Sequence, residues 1–274
     1  MPQIDYISKA RLKETAALRV KKLRRRAGLF LVEGATLLRE ALDAGWEVER
    51  VVINVRKHDS TDVADAVARI DAKTTLLFLA RENDIKRLSE TVSPASVVAV
   101  LRTPQRRLED FEGAGELRLA VAGAIQDPGN IGAIIRSADA FALNGVVLSK
   151  GCAEWQNPKV IRSTAGSCFH MPIVSDAETV RTMDWLQANN VTAFAAVSRG
   201  GRDVSEIRPP RRWAVILGNE TAGPPAEAVE RCDQRISIQM TGRAESLNVA
   251  VSAGIIFHAL AVGTSRHNDN SNKH

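Results

Sequence analysis

The chain has 274 residues, 45% of them hydrophobic and 4% aromatic, with a formal net charge of +5 and a pI near 9.3. This length suits two compact domains or one large α/β domain, and the ordinary apolar and charged fractions exclude wholesale disorder. The few aromatics argue against a surface that stacks many splayed bases; no apolar run approaches the ~20 residues of a membrane helix, and no secretory signal opens the chain, so a cytoplasmic protein is expected.

From Lys9 to Arg26 there are nine basic residues and one acid, Glu14. The stretch favours one helix over 8–25, with Ser8 as its cap and Leu12, Ala16, Leu18 and Leu23 as its apolar side. Such charge density suits phosphate as well as it suits a solvated helix face. Lys21, Lys22, Arg24, Arg25 and Arg26 are its densest cluster and the candidate nucleic-acid contacts. Strands are expected at 29–32, 50–54, 75–79 and 96–101, alternating with helices at 35–42, 62–70 and 82–88. That alternation describes a small α/β domain over residues 1–103.

Residues 104–116 carry Pro104, two glycines and mixed charges without periodicity, and are assigned as a linker. A second α/β alternation fills 117–265. Its strands are expected at 117–125, 146–148, 172–174, 191–197, 211–217 and 235–238. Its helices are expected at 131–141, 158–165, 177–188 and 225–231, and over the long apolar run 246–262. Residues 266–274 have the composition of a flexible tail. The three cysteines, Cys152, Cys168 and Cys232, have neither disulfide nor metal spacing and read as buried thiols; no metal is expected.

Three segments stand out where a strand runs into a helix. In Gln126–Ala138, Asn130 is a candidate cap, Gly129 and Gly132 allow close backbone approach, and Arg136 interrupts an otherwise apolar helix. A buried arginine there needs either a carboxylate partner or a function. The glycines do not form G-x-G-x-x-G and no strand-end acid follows, so a Rossmann dinucleotide site is not supported. In Val215–Pro224 an apolar strand enters Gly218-Asn219-Glu220. In Ile236–Val249 a strand leads through a glycine loop to Ser246, an economical helix cap, and to Asn248, whose amide needs partners if buried.

Together these segments resemble the three signature motifs of the SpoU/TrmH ribose methyltransferases of the SPOUT superfamily. Asn130, Gly132, Arg136, Ser137 and Ala138 match the first. Gly218, Asn219, Glu220 and Gly223 match the second, and Ile238, Met240, Gly242 and Ser246–Val249 match the third. Asn157–Ser167 is similar to a family segment between the first two. Phe30–Gly34 resembles the opening of the L30e-like RNA-binding domain of many relatives. This chain has Pro224 where the family commonly has Leu, and Gln239 where it commonly has Pro.

The resemblance implies an α/β fold with a mostly parallel sheet and a C-terminal trefoil knot, behind a small L30e-like domain. It implies S-adenosyl-L-methionine bound by Leu217, Gly218, Asn219, Ile238, Met240 and Leu247. It implies methyl transfer to a ribose 2′-hydroxyl by Arg136, aided by Asn130, Glu220, Ser246 and Asn248. A structured RNA substrate (large-subunit rRNA before tRNA) and a homodimer follow from the same source. The alternatives are a tRNA ribose methyltransferase, a base methyltransferase of the same superfamily, and a non-catalytic ribosome-assembly factor that keeps the fold.

Overall fold

The computed structural model describes residues 4–71, 73–89, 93–219 and 221–271, with side chains to residue 262. Its contacts divide the chain into two units, residues up to 104 with 156–169, and residues 105–155 with 170 onward.

The first unit contains helices α1 (Lys9–Ala17) and α2 (Lys21–Ala27), strand β1 (Leu29–Glu33), helix α3 (Ala35–Asp43), strand β2 (Val48–Asn54), helix α4 (Thr61–Ala68), strand β3 (Leu76–Ala80), helix α5 (Glu82–Leu88) and strand β4 (Val97–Arg102). The sheet order is β1-β4-β2-β3, antiparallel except for the parallel pair β2–β3. Leu12 and Leu18, with Ile85 and Leu88 of α5, close one face over Leu31, Val52 and Val100.

The single basic helix expected over 8–25 is two helices. Ser8 does cap the first, accepting from the Arg11 amide at 3.3 Å. The chain then turns at residues 18–20, where Arg24 donates to the carbonyls of Leu18 and Arg19 at 3.0 and 2.7 Å. A guanidinium thus satisfies carbonyls that the end of α1 leaves unpaired. Arg24 is 5% exposed, so it is corrected from an RNA contact to a structural residue; Lys21, Lys22, Arg25 and Arg26 are exposed.

The second unit is built on strands β5 (Leu117–Ala122), β6 (Gly145–Ser149), β7 (Ile173–Ala177), β8 (Thr192–Ala196), β9 (Arg202–Asp203), β10 (Arg212–Leu217) and β11 (Gln234–Ser237). They form one fully parallel sheet in the order β7-β6-β5-β10-β8-β11-β9. Parallel strands need crossovers and are buried on both faces, which fits their near-continuous apolar runs. The crossovers carry α6 (Pro128–Ala140), α8 (Thr179–Ala188) and α9 (Ala226–Arg231), and α10 (Val249–Ser271) packs along α6. Gly254 lies on that seam, where a β-carbon would make an ordinary van der Waals contact with Ser137 Oγ at 3.6 Å.

Three boundaries differ from the sequence reading. The presumed linker is anchored, because Leu108 and Phe111 of a short 3-10 turn enter the second unit's core, and a β-carbon at Gly145 would meet Phe111 Cζ at 2.3 Å. The last helix begins at Val249 and its backbone runs to Ser271 through the expected tail, with no proline or further glycine after Gly263 to stop it. Helix α7 (Pro158–Thr164), read as part of the second domain, makes its contacts with the first unit.

The anchors of that segment are specific. Arg162 reaches the 3%-exposed carboxylate of Glu33 at 3.4 Å, and Ser89 Oγ donates to the same carboxylate at 2.5 Å. Trp46 donates from Nε1 to the Phe169 carbonyl at 2.8 Å and meets the Phe169 ring edge-on at 5.5 Å. Burial pushes the Cys168 thiol up to about 11 and also raises that of Cys152, so neither is a ready nucleophile.

One backbone crossing fixes the end of β10. A β-carbon at Gly218 would lie 1.9 Å from Gly223 C and 2.0 Å from Pro224 N, so the returning loop occupies the place of a side chain. Gly123, at the end of β5, likewise leaves room for Pro225, whose Cδ would stand 2.5 Å from its β-carbon.

Four outcomes are expected. Gly218→Ala should lower stability by about 3 kcal/mol or more, since the overlap is with backbone. Gly115→Ala, whose added carbon meets open space, should leave the melting temperature unchanged. Arg162→Met should cost about 2–3 kcal/mol in urea denaturation, below the full penalty for a deep pair because Arg162 is partly hydrated. Adding Glu33→Gln should restore part of that loss.

Candidate active site

A cavity of about 300 Å³ opens at the C-terminal ends of three neighbouring strands, β10, β8 and β11. Ligands of open parallel sheets gather at this edge, where strands hand over to loops rich in free backbone groups. Its walls come from Ala196–Ser198 after β8, Leu217–Asn219 and Thr221–Pro224 after β10, Ile238, Met240, Ser246 and Leu247 after β11, and the inner face of α10.

Each loop has a local cause. Asn219 Oδ1 accepts from the Thr221 amide at 2.9 Å and its carbonyl from Gly223 at 2.8 Å, which curls the chain tightly. Gly223 sits at φ +71°, in the left-handed region that glycine enters at no steric cost. Pro224 is buried and forms part of the wall, whereas Gln239 is exposed. Asn248 caps α10, because its Oδ1 accepts from the amides of Ala250 at 2.9 Å and Val251 at 3.4 Å. Asp127 caps α6 by accepting from the Asn130 amide at 2.8 Å, with Pro128 in the first helical position.

All six residues expected to hold the cofactor, Leu217, Gly218, Asn219, Ile238, Met240 and Leu247, line this one cavity, and Ser246 joins them. Ser246 and Asn130 are corrected as caps, since Asn248 and Asp127 take those positions. Asn130 is buried and its Oδ1 accepts from Asn248 Nδ2 at 2.9 Å, which joins the first and third motifs. Arg136 stands exposed on α6, makes no hydrogen bond or ion pair with a described residue, and does not line the cavity. Glu220 lies outside the described residues.

Sequence reasoning missed the wall given by Ala196, Val197 and Ser198, whose only signal was the turn-forming Gly200-Gly201 that follows. It also missed Ser252 and Ile256, although their spacing of four and eight residues from Asn248 places them on one helix face. The cavity's lining fits S-adenosyl-L-methionine in kind. Leu217, Ile238, Met240 and Leu247 offer an apolar bed for a purine and a methionine chain. Neutral Asn219, Thr221, Ser198 and loop amides offer the polar contacts, in a volume at the low end for small-molecule sites. Among the described residues no cluster of His, Cys, Asp or Glu could hold a metal ion, and no helix is long and apolar enough to cross a membrane.

Comparison with known proteins agrees with this geometry. Residues 118–258 match the model of the SpoU rRNA methylase family, and residues 9–99 match an MRM3-like substrate-binding domain. The chain is 32% identical over 260 residues to the 23S rRNA (guanosine(2553)-2′-O)-methyltransferase RlmP of Bacillus subtilis, covering 95% of this chain and 99% of that protein. It superposes on the crystal structure of the SpoU methyltransferase AviRb from Streptomyces viridochromogenes in complex with AdoMet with a TM-score of 0.86, at 29% identity, covering 93% and 98% of the two chains. A second structure, an AdoMet-bound rRNA methyltransferase from Sinorhizobium meliloti, gives 0.83 at 29% identity, covering 96% and 97%. With a family model over half its length and relatives matched almost end to end, the chain belongs to the SpoU rRNA methylase family.

Proposed function

We propose that this chain transfers a methyl group from S-adenosyl-L-methionine to a ribose 2′-hydroxyl of structured RNA, with 23S rRNA as its substrate. The observation that carries the reading is the convergence of Leu217, Gly218, Asn219, Ile238, Met240 and Leu247 on one cavity at the sheet edge. The RlmP relative, which modifies 23S rRNA at a 2′-oxygen, is matched along its whole length, first unit included.

The cofactor, when bound, supplies an electrophilic methyl group. The chain's own residues must then align the 2′-oxygen and ease the loss of its proton. Arg136 suits electrostatic work, because its guanidinium is exposed and no described residue neutralises it. A guanidinium is a hydrogen-bond donor with no acceptor atom and a poor base, so Arg136 orients the hydroxyl and stabilises the oxyanion that develops. Ser246 contributes at the cavity wall, and Asn130 and Asn248 act behind it. Glu220 is assigned to the same set from the second motif.

A homodimer is part of the proposal. Val251, Ile255 and Val262 form an apolar stripe along α10, exposed at 52, 39 and 40%. Arg136 of one copy does not line that copy's cavity, which a second copy packed on α10 would remedy. The first unit would hold the RNA through Lys21, Lys22, Arg25 and Arg26, and a substrate made in the cytoplasm places the enzyme there.

Ribose-methylation mapping of 23S rRNA from cells with and without the gene should show one 2′-O-methyl site that disappears on deletion; an unchanged map would refute the proposal. Arg136→Ala should keep its fold and cofactor affinity while losing roughly 100-fold or more in transfer of tritiated methyl groups. Neutralising Lys21, Lys22, Arg25 and Arg26 together should weaken RNA binding and shrink the salt slope by up to about 3 units. Arg24→Ala should instead destabilise the protein with little change in that slope.

A further inference from the structure

Helix α2 is held by one side, where the buried Arg24 reaches the carbonyls of Leu18 and Arg19 at 3.0 and 2.7 Å. Beside Arg24 stand Val20, Leu23 and Ala27, which spacings of three and four residues bring into one row. Val20 is 54% exposed and Leu23 39%, and Ala27 is exposed with them. Lys22 and Arg26, four residues apart and both exposed, form the neighbouring row, with Arg26 three residues from Leu23. An apolar strip thus runs alongside a row of cations on one short helix.

The residue at the head of this strip works against the helix it opens. Val20 is the N-cap of α2, at φ −87° and ψ 121°, and its side chain gives no capping hydrogen bond. Valine is among the poorest residues at that position, because it offers the first amides of the helix no acceptor. The first turn also lacks an acid and opens on Lys21 and Lys22, against the helix dipole. Local folding rules broken together mark a surface with another use.

Resting on the function proposed above, we propose that this strip is a specificity surface for unpaired nucleotides of RNA. A paired A-form helix presents phosphates and 2′-hydroxyls, to which aliphatic side chains add nothing. An unstacked nucleotide in a loop or bulge exposes the apolar face of its base. Val20 and Leu23 take that face, while Lys22 and Arg26 hold the phosphates beside it. The cations alone would bind any RNA by charge, and the strip selects RNA whose bases are splayed out. RNA is the favoured occupant because cations border the strip and because the match to a substrate-binding domain, residues 9–99, includes α2. Two aliphatic side chains and an alanine are too small a bed for a lipid surface.

Val20→Thr separates the strip from the stability of the helix. Threonine has nearly the shape of valine and caps helices far better, so this variant should melt at a higher temperature than the wild type. Leu23→Gln keeps the helix propensity while removing the apolar surface. On an RNA hairpin with a uridine loop, the double variant Val20→Thr/Leu23→Gln should lose roughly 10-fold in affinity, with the salt slope unchanged. On a fully paired RNA duplex of equal length, its affinity should match that of the wild type. Lys22→Gln/Arg26→Gln should instead flatten the salt slope on both RNAs.

A wild-type chain with no preference for the hairpin, or a double variant with undiminished hairpin affinity, overturns the proposal. An equal loss on hairpin and duplex does the same. Binding to phosphatidylserine vesicles that the double variant loses, with hairpin affinity intact, would assign the strip to a lipid surface and also overturn it. An unchanged ribose-methylation map refutes the rRNA reading, while the hairpin and duplex affinities still decide this one.

Discussion

The second unit depends on two stretches of backbone passing each other at the end of β10, at a distance that tolerates no side chain. Gly218 is where they pass, with Gly223 and Pro224 standing where its β-carbon would be. Because the loop returns so closely, Leu217 and Asn219 lie against the same cavity as Thr221–Pro224. Pro225 is carried over Gly123, which ties β10's loop to the end of β5, its neighbour in the sheet. An open loop at this place would remove the wall that Thr221–Pro224 give the cavity. The knot implied by the family resemblance is compatible with such a crossing.

Much of this was legible because the relevant residues act through backbone shape. Glycines and prolines declare their use in a sequence, and the motif built on Gly218, Asn219 and Gly223 needs little tertiary knowledge to be placed at a strand's end. The first unit was less legible. A run of cations over 9–26 reads as one helix, since nothing local says that Arg24 will turn inward to collect the carbonyls of Leu18 and Arg19. Capping showed the same limit. Ser246 and Asn130 were reasonable caps by residue type, yet the chain places Asn248 and Asp127 one helix start away, and only the tertiary path decides between such neighbours. Phe111 looked like part of a linker because its partner, Gly145, lies more than thirty residues ahead.

The two units divide the chain's charge unevenly. Exposed cations gather on α2, whereas the described cavity lining holds no charged side chain at all. For an enzyme of polyanions this has a physical logic. Long-range attraction suits a surface that meets a polyanion, and a neutral, preorganised bed suits a small molecule that carries charge of both signs. On the second unit's side Arg136 is a cation without a described counter-charge, placed outside the cavity.

The segment around α7 bears on how the molecule is made. The first unit's carboxylate at Glu33 and its aromatic pair at Trp46 are completed by Arg162 and Phe169, residues encoded after β5, α6 and β6. During synthesis at about 5–20 residues per second, residues 1–104 therefore leave the ribosome several seconds before their last wall exists. Over that interval Glu33 lacks its arginine and Trp46 its carbonyl, and the basic helices are already in solution among nascent RNA and chaperones. Closure of the N-terminal unit is thus timed by the emergence of the second unit's first strands, so that a chain cut short before residue 169 leaves a strongly basic unit unfinished.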